Sequence, residues 1–260
     1  MTQSPPPPRI VITGVSRGIG RSLALSAASA GYSVAGIHRG TDPAVSAELT
    51  GEIERRGGRA LIMVGDAGVT DDVEHLAKTV ASEWGGIDLW VNNAARLLVK
   101  PFMEMQDADW ESILNSNLMG YIRGARAAAR YMIPARSGSI INVSSVVAEQ
   151  PPTDMTGYVT AKGGITGLTR SLAVELGQHD VTVNAVAPGA TETPLNTGAW
   201  TDEVRDTYRD RIPLRRIGTP EEIADAILAV GSQSSRYITG QIITVDGGLH
   251  LNGSVGHQRQ

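Results

Sequence analysis

The stretch RIVITGVSRGIGRSLALSAASA, residues 9–30, decides the fold. Its opening RIVIT is rich in β-branched residues and predicts a strand, and Ile19–Ala30 has the apolar spacing of an amphipathic helix. Between them, Gly14, Gly18 and Gly20 follow the spacing GxxxGxG. Glycines there let the backbone turn sharply, and the helix start offers free N–H groups and a positive dipole end to an anion. A tight connection without a ligand has the same local pattern, but its place after a first strand favours a nucleotide phosphate site.

Short apolar runs alternate with longer amphipathic segments along the rest of the chain. This alternation indicates βαβ units and a parallel sheet, and the near-continuous apolar strands indicate that both sheet faces are covered. The later predicted strands are 32–37, 59–66, 87–93, 138–145, 181–188 and 240–248. The later predicted helices are Pro43–Arg56, Asp71–Trp84, Asp109–Ile133, the helix that carries Tyr158, and 220–230. The predicted fold class is α/β, a single-domain doubly wound Rossmann-like fold with a parallel sheet of about seven strands.

No linker divides the chain, so residues 9–250 are predicted to form one domain. The four prolines near the start predict a flexible Pro-rich tail over residues 1–8, and a C-terminal tail covers 251–260. Residues 191–212 are polar and carry little strand signal. Such an insertion suits a mobile lid over a substrate site, and the alternative is a surface excursion without function.

The composition narrows the classes of function. Net charge is −4, so no basic surplus favours nucleic acid or an anionic membrane as a partner. The lack of cysteine excludes disulfides and thiolate metal sites, and the five histidines have no ligand-like spacing, so we expect no metal. The N-terminus has no apolar signal region, and no apolar run approaches the ~18 residues of a membrane span. We therefore expect a cytoplasmic protein that acts on a small molecule.

A series of motifs extends the glycine-rich turn along nearly the whole chain. They are TGVSRGIG (13–20), VNNAA (91–95), NLMG (117–120), NVSS (142–145), YVTAK (158–162), APGATETP (187–194) and VDGG (245–248). In this order they resemble the motifs of the short-chain dehydrogenase/reductase family, and the resemblance covers about residues 9–250. Ala95 stands where that family usually has glycine, so the local turn departs from the family pattern.

The pair Tyr158 and Lys162 carries the predicted chemistry. Four residues make about one helical turn, so both side chains share a face, and a nearby ammonium lowers the pKa of a phenol. The resemblance implies that Tyr158 is the acid/base and that Lys162 lowers its pKa and binds the nicotinamide ribose. It also implies that Ser145 polarises the substrate oxygen, and that Asn117 holds a water that links Lys162 to solvent.

Two of these positions have a neighbour of the same type. Ser144 and Ser145 point in opposite directions if the strand continues through them. Ser145 has the family's spacing to Tyr158 and is preferred. Asn115 competes with Asn117, and only Asn117 begins the N-x-x-G pattern.

The end of the second strand predicts the choice of cofactor. His38 stands where an acidic residue would bind the adenosine ribose of NAD, and Arg39 follows it. Arg39, with Arg17 in the glycine turn, can bind the 2′-phosphate of NADP. We therefore expect NADP(H), with NAD(H) as the alternative; the two arginines could also be ordinary surface residues. The full set of expected cofactor-binding residues is Gly14, Ser16, Arg17, Gly18, Ile19, Gly20, His38, Arg39, Asp66, Asn92, Ala94, Tyr158, Lys162, Pro188, Gly189, Thr191 and Thr193.

The resemblance implies an NADP(H)-dependent oxidoreductase that acts on a ketone or secondary alcohol. A 3-oxoacyl or general carbonyl reductase is the leading interpretation, although of the two arginines used for carrier-protein docking only Arg136 is present, with His179 at the other place. A sugar or polyol dehydrogenase is the alternative, in which Glu149, Gln150 and Asp154 could contact a polar substrate. A non-catalytic NADP(H)-binding sensor or scaffold is the alternative of another class. Family members are commonly tetramers, so we expect a homotetramer or homodimer that uses the helix over 163–176.

Overall fold

The structure is a computed structural model that describes residues 6–40, 42–197 and 200–251. Most of each predicted tail, residues 1–5 and 252–260, therefore lies outside the described residues, as do two positions of the predicted lid. Within the described ranges, no helix has the length and apolar character needed to cross a membrane.

A seven-stranded sheet forms the centre of the molecule, with strand order β3-β2-β1-β4-β5-β6-β7 and parallel pairing throughout. This order reverses between β1 and β4, where open α/β sheets bind ligands beyond the carboxyl ends of their strands. The predicted fold class is confirmed. The strands are β1 Arg9–Thr13, β2 Ser33–His38, β3 Ala60–Val64, β4 Leu89–Asn92, β5 Gly138–Val143, β6 Val181–Pro188 and β7 Ile242–Val245.

Helices cover both faces of the sheet. They are α1 Gly18–Ser29, α2 Pro43–Arg55, α3 Thr70–Trp84, α4 Asp107–Leu114, α5 Gly120–Ala135, α6 Thr156–Gly177, α7 Pro194–Thr197, α8 Asp202–Arg211 and α9 Pro220–Gly231. Val11 of β1 packs in a core with α3, α5 and α6, whereas Ile10 and Ile12 pack with α1, α2 and α9. Alternate side chains of a strand point to opposite faces, so Ile10, Val11 and Ile12 are all buried, on one side or the other.

The helix predicted over 109–133 is interrupted by a π-helical turn over Asn115–Met119, between α4 and α5. Such turns insert a residue into the helical hydrogen-bond pattern and are frequent at functional sites. Beyond it, α5 lies very close to the sheet, because a Cβ on Gly124 would be 2.0 Å from Oδ1 of Asn92. The turn shifts the register of the side chains that follow, and no feature of the sequence pattern indicated it.

The strand predicted over 138–145 is shorter than expected, since β5 ends at Val143. Ser144 and Ser145 therefore lie in the connection that follows the strand. In the predicted lid, α7 and α8 precede a small cluster of Ile212, Ile217 and Leu249. This cluster packs the lid segment against the residues after β7.

Candidate active site

The glycine-rich turn lies at the carboxyl end of β1, against the end of β4. Gly14 and Gly18 have φ of +73° and +54°, which L-residues with a side chain seldom adopt. A Cβ on Gly14 would be 2.8 Å from the Cα of Ala94, and one on Gly20 would be 2.2 Å from the carbonyl oxygen of Gly14. The turn is thus closed to any larger residue at Gly14 and Gly20.

Two residues that the sequence reasoning missed hold this turn in place. The hydroxyl of Thr13 accepts hydrogen bonds from the backbone N–H groups of Asn93 and Ala94 at 3.0 and 3.2 Å. The side-chain amide of Asn93 donates to the carbonyl oxygens of Thr13 and Gly14 at 3.0 and 3.1 Å. The sequence feature that could have indicated them is their position: Thr13 is the last residue of β1, and Asn93 follows the neighbouring strand β4.

The start of α1 is open to a ligand. Its N-cap, Arg17, makes no capping hydrogen bond with its side chain, and the first turn contains no acidic residue. Arg17 is exposed, whereas Ser16 and Ile19 are half-buried in the same turn. Free N–H groups beside a tight glycine turn fit a pyrophosphate, so the residues present suit a dinucleotide.

The end of β2 contributes one buried imidazole and one exposed cation. His38 Nδ1 accepts from the N–H of Gly40 at 3.1 Å, so Nε2 carries the proton and donates to the Ser46 hydroxyl at 2.7 Å. Burial lowers the pKa of His38, which keeps this imidazole neutral. Arg39 is exposed and lies 3.8 Å from the carboxylate of Asp66, which follows β3. His38 therefore shapes the loop, and Arg39 supplies the charge.

Within the part of the chain that the structure describes, the side chain of Asn92 makes hydrogen bonds only to buried groups. Its Oδ1 accepts from the indole of Trp90 at 2.8 Å, and its Nδ2 donates to Oδ1 of Asn142 at 2.9 Å and to the carbonyl oxygen of Tyr121 at 3.2 Å. The side chain is fully buried and ties β4 to β5 and α5. It anchors the strand ends, so the expected cofactor contact cannot come from its amide.

The segment after β6 lies beside the glycine-rich turn. A Cβ on Gly189 would be 2.4 Å from the Cβ of Asp246, so this glycine is required where Pro188 leads out of the strand. Thr191 and Thr193 are both buried. A Cβ on Gly18 would be in ordinary contact with Thr193, at 3.5 Å. The glycine turn and this segment therefore lie side by side at the sheet edge.

Tyr158 and Lys162 lie one turn apart on α6, both buried. The Lys162 Nζ is 5.4 Å from the ring centre of Tyr158. Burial raises the pKa of Tyr158 to about 12 and lowers the pKa of Lys162 to about 7. The direction for Tyr158 is opposite to the depression expected from a neighbouring ammonium, because burial of the phenol disfavours the charged phenolate.

The two serines after β5 differ in exposure. Ser144 is buried, and its hydroxyl donates to the carbonyl oxygen of Lys162 at 3.4 Å. Ser145 is half-buried and accepts from the N–H of Val147 at 3.4 Å. Because an oxygen that accepts one hydrogen bond keeps its own O–H, Ser145 can still donate to a ligand.

The π-helical turn contains both candidate asparagines, but their side chains have different partners. Asn117 is fully buried, and its amide exchanges two 2.8 Å hydrogen bonds with the backbone of Arg96. Asn115 instead donates to the carbonyl oxygen of Gly68 at 3.2 Å, in the loop after β3. These two bonds fix the Asn117 side chain to the segment after β4.

A crevice of about 10 Å³ beside Ser145, with room for about one water molecule, is lined also by Glu149, Thr166, Ile242 and His250. The Gln150 side-chain amide donates to the His250 carbonyl oxygen at 2.7 Å, so Gln150 fastens the segment after β7 to this wall. Asp154 is exposed, and its backbone carbonyl accepts from the N–H of Lys100 at 2.7 Å. Of the three polar residues predicted to contact a substrate, Glu149 alone borders this crevice.

Comparison with known proteins finds relatives over nearly the whole chain. Residues 14–250 match a family model described as enoyl-(acyl carrier protein) reductase. A 3-oxoacyl-[acyl-carrier-protein] reductase of Staphylococcus epidermidis is 36% identical over 241 residues, covering 93% of this chain and 98% of that protein.

Solved structures are also similar to this chain over nearly its whole length. A short-chain type dehydrogenase/reductase from Mycobacterium marinum matches with a TM-score of 0.87 at 34% identity, over 93% of this chain and 95% of that one. Acetoin dehydrogenase from Enterobacter cloacae matches with a TM-score of 0.85 at 32% identity, over 96% and 98%.

Proposed function

We propose a reaction for this chain on the premise that it belongs to the short-chain dehydrogenase/reductase family and is an oxidoreductase of CH–OH and C=O groups. The proposed reaction is reduction of a ketone by NADPH, with Tyr158 as the acid. The proposed substrate is a 3-oxoacyl thioester or a related small ketone.

The observation that carries the proposal is the burial of Tyr158 beside Lys162. Because burial raises the pKa of Tyr158 to about 12, the phenol keeps its proton at neutral pH. A protonated phenol can donate to a carbonyl oxygen as that oxygen gains negative charge. The resting protonation state of this site therefore suits reduction, whereas alcohol oxidation would first require the phenol to be deprotonated.

Each catalytic residue has a separate task. When bound, the nicotinamide supplies or accepts the hydride. Ser145 donates a second hydrogen bond to the substrate oxygen, which places that oxygen next to Tyr158. Lys162 has a pKa of about 7 and is near half-protonation at neutral pH, so it can pass a proton toward Tyr158 as well as hold a charge. Asn117 is proposed to hold, through its backbone, the water that resupplies this proton.

The preference for NADP(H) rests on Arg39. It is exposed at the end of β2, and its neighbour His38 is a neutral imidazole in a fixed orientation. The carboxylate of Asp66 lies 3.8 Å from Arg39 and balances part of its charge. Because this ion pair is exposed and weak, a phosphate dianion would compete with Asp66 for Arg39. Arg17 is exposed in the adjacent turn and adds a second cation.

The names of two relatives support the proposed substrate class. The Staphylococcus epidermidis relative is named for 3-oxoacyl groups and the Enterobacter cloacae structure for acetoin, a hydroxyketone. A polyol would need several free polar partners, yet Gln150 is bonded to the segment after β7.

The arginine at the predicted carrier-protein docking position already has partners within the chain. Arg136 is paired with Asp180 at 3.2 Å and donates to the Gln178 carbonyl oxygen at 3.1 Å. It precedes β5, so it lies at the edge of the sheet opposite to the catalytic residues of its own chain. A free thioester is therefore the first substrate to test.

The outer face of α6 supports an oligomer. Val174 is 85% exposed, and a Cβ on Gly163 or Gly167 would meet no atom within 4 Å. These positions lie along one side of the helix, where small residues allow another helix to approach closely. We propose a homotetramer or homodimer. Sedimentation of the wild type and of the Gly167→Gln variant tests it, because a long side chain at this position would block the close approach of another helix.

A substrate and cofactor screen tests the function. NADPH and NADH are offered separately with acetoacetyl-coenzyme A, acetoin and a sugar, and cofactor consumption is followed by absorbance. We expect turnover with NADPH and the ketones. Tyr158→Phe should lower kcat at least about 100-fold and leave NADPH binding near wild type, whereas Tyr131→Phe should change neither.

Each other outcome contradicts a named part of the proposal. Near-normal turnover in Tyr158→Phe would remove the assigned acid. Activity confined to the sugar would replace the substrate class, and a preference for NADH would overturn the cofactor assignment. Cofactor binding with no turnover of any substrate would favour the sensor or scaffold alternative.

A further inference from the structure

Tyr121 is a buried phenol in direct contact with the catalytic lysine. It is the second residue of α5, immediately after the π-helical turn, and its side chain is 1% exposed. No motif of the sequence includes it, and none of the roles described above uses it. A phenol is a costly group to bury unless its hydroxyl is hydrogen-bonded, so its partners indicate what it does.

The hydroxyl of Tyr121 has two partners with different roles. It donates to the carbonyl oxygen of Val143 at 2.9 Å, so its single proton is used there. Its oxygen therefore accepts from Nζ of Lys162, which lies at 3.1 Å. The same Nζ donates to the carbonyl oxygen of Val143 at 2.6 Å and lies 5.0 Å from the centre of the Tyr121 ring.

We infer that Tyr121 is a positioning residue that holds the Lys162 ammonium at the end of β5 and favours its charged form. Two of the three N–H groups of the ammonium are taken by Tyr121 and Val143, which leaves one for a ligand or for Tyr158. Val143 immediately precedes Ser144 and Ser145, so the contact also ties the lysine to the strand end that carries the catalytic serine.

The electrostatic effect has a definite direction. An oxygen that accepts from an ammonium stabilises the charged form, and the ring face adds a weaker attraction. Among the described residues, the titratable groups that contact Lys162 are Tyr121 from α5 and Tyr158 from its own helix; β5 contributes the carbonyl of Val143. Removing the Tyr121 oxygen should therefore shift the lysine toward its neutral form. The inference rests on the proposed role of Lys162 in the reaction, but the contact can be tested without turnover.

Tyr121→Phe is the variant that isolates the hydroxyl. It keeps the buried ring, and the carbonyl of Val143 retains the hydrogen bond from Lys162, so no buried polar atom loses its last partner. We therefore expect the variant to fold. Tyr131→Phe is the matched control, because it lies on the same helix and no hydrogen bond joins it to Lys162.

Lysine titration in the protein without cofactor gives the first readout. The chain has three lysines, Lys78, Lys100 and Lys162, so selective ¹³C labelling gives few signals, and Lys162→Met identifies the buried one. We expect Tyr121→Phe to lower the titration midpoint of Lys162 by about 1 pH unit, the effect of one charge-assisted hydrogen bond. A change below about 0.3 units, or an equal change in Tyr131→Phe, would overturn the inference.

The pH profile of reduction gives the second readout. In Tyr121→Phe, the limb of kcat that reports Lys162 should move in the same direction as the midpoint, with kcat lowered about tenfold at neutral pH. A uniform loss at every pH, with the midpoint unmoved, would show a purely structural role. If the wild type reduces no carbonyl substrate, the proposed function fails, and the titration still decides the contact.

Discussion

Replacing Lys162 by methionine should make the folded protein more stable at neutral pH. The side chain is 1% exposed, and burial lowers its pKa from an ordinary 10.5 to about 7. The unfolded chain binds the Lys162 proton more tightly than the folded one. Burial of this lysine therefore lowers the free energy of unfolding at pH 7 by about 4 kcal/mol. Methionine has a similar length and no charge, so it removes this penalty.

The gain is reduced by the hydrogen bonds that the amine makes. Methionine loses the contacts with Val143 and Tyr121, which together offset about 1–2 kcal/mol. The two remaining groups still bond each other at 2.9 Å, so neither is left unpaired. We therefore expect a net increase of about 2–3 kcal/mol in the free energy of unfolding at pH 7.

The dependence on pH separates this explanation from better packing. The folded pKa of Lys162 is below its unfolded value, so the penalty is largest below about pH 7 and fades as pH rises toward 10.5. Near pH 9.5 the advantage of methionine should have shrunk by about 3 kcal/mol. Urea unfolding, followed by tryptophan fluorescence at pH 7 and at pH 9.5, measures the difference in the free energy of unfolding between variant and wild type. The protein concentration is the same in every experiment.

Lys78→Met, at an exposed position, is the control and should change the unfolding free energy by less than about 0.5 kcal/mol at either pH. An equal gain from Lys162→Met at both pH values would refute the titration argument. A loss of stability at pH 7 would show that the contacts of the amine outweigh its burial.

Two further substitutions test the cofactor and the serine assignment. Arg39→Asp should raise the KM for NADPH about tenfold or more and leave that for NADH nearly unchanged, because a carboxylate repels the 2′-phosphate; equal effects on both cofactors would count against the phosphate site. Ser145→Ala should lower kcat about 100-fold with normal folding, since it removes a donor to the substrate oxygen. Ser144→Ala should chiefly change thermal stability, and the reverse pattern would exchange the two serines.

Much of the architecture could be read from local patterns. Each predicted strand is present, because β-branched runs such as RIVIT bury both faces wherever helices cover a parallel sheet. The glycine turn was equally legible, since Gly14 has a backbone conformation that a larger residue seldom adopts. The element ends were less certain: β5 ends before Ser144, and the predicted helix over 109–133 is broken by the π-helical turn.

The residues that support the site were harder to find. Thr13 and Asn93 brace the glycine turn although they are 80 positions apart in the chain. Tyr121 contacts Lys162 across 41 positions. Asn92 matched a motif, yet its amide bonds to side chains of its own strand and of β5. A motif records which residue is present, but its partners come from strands and helices brought together by the fold.

The sequence alone determined the order of strands and helices, the glycine turn and the one-turn spacing of Tyr158 and Lys162, because these depend on residues close together in the chain. Only the tertiary structure decided the electrostatics of that pair. Its burial comes from α5, β5 and α6 packing together, and burial raises the pKa of Tyr158 where spacing alone predicted a decrease. The free energy of a charge depends on all the atoms that displace water around it, and most of those atoms lie far away in sequence.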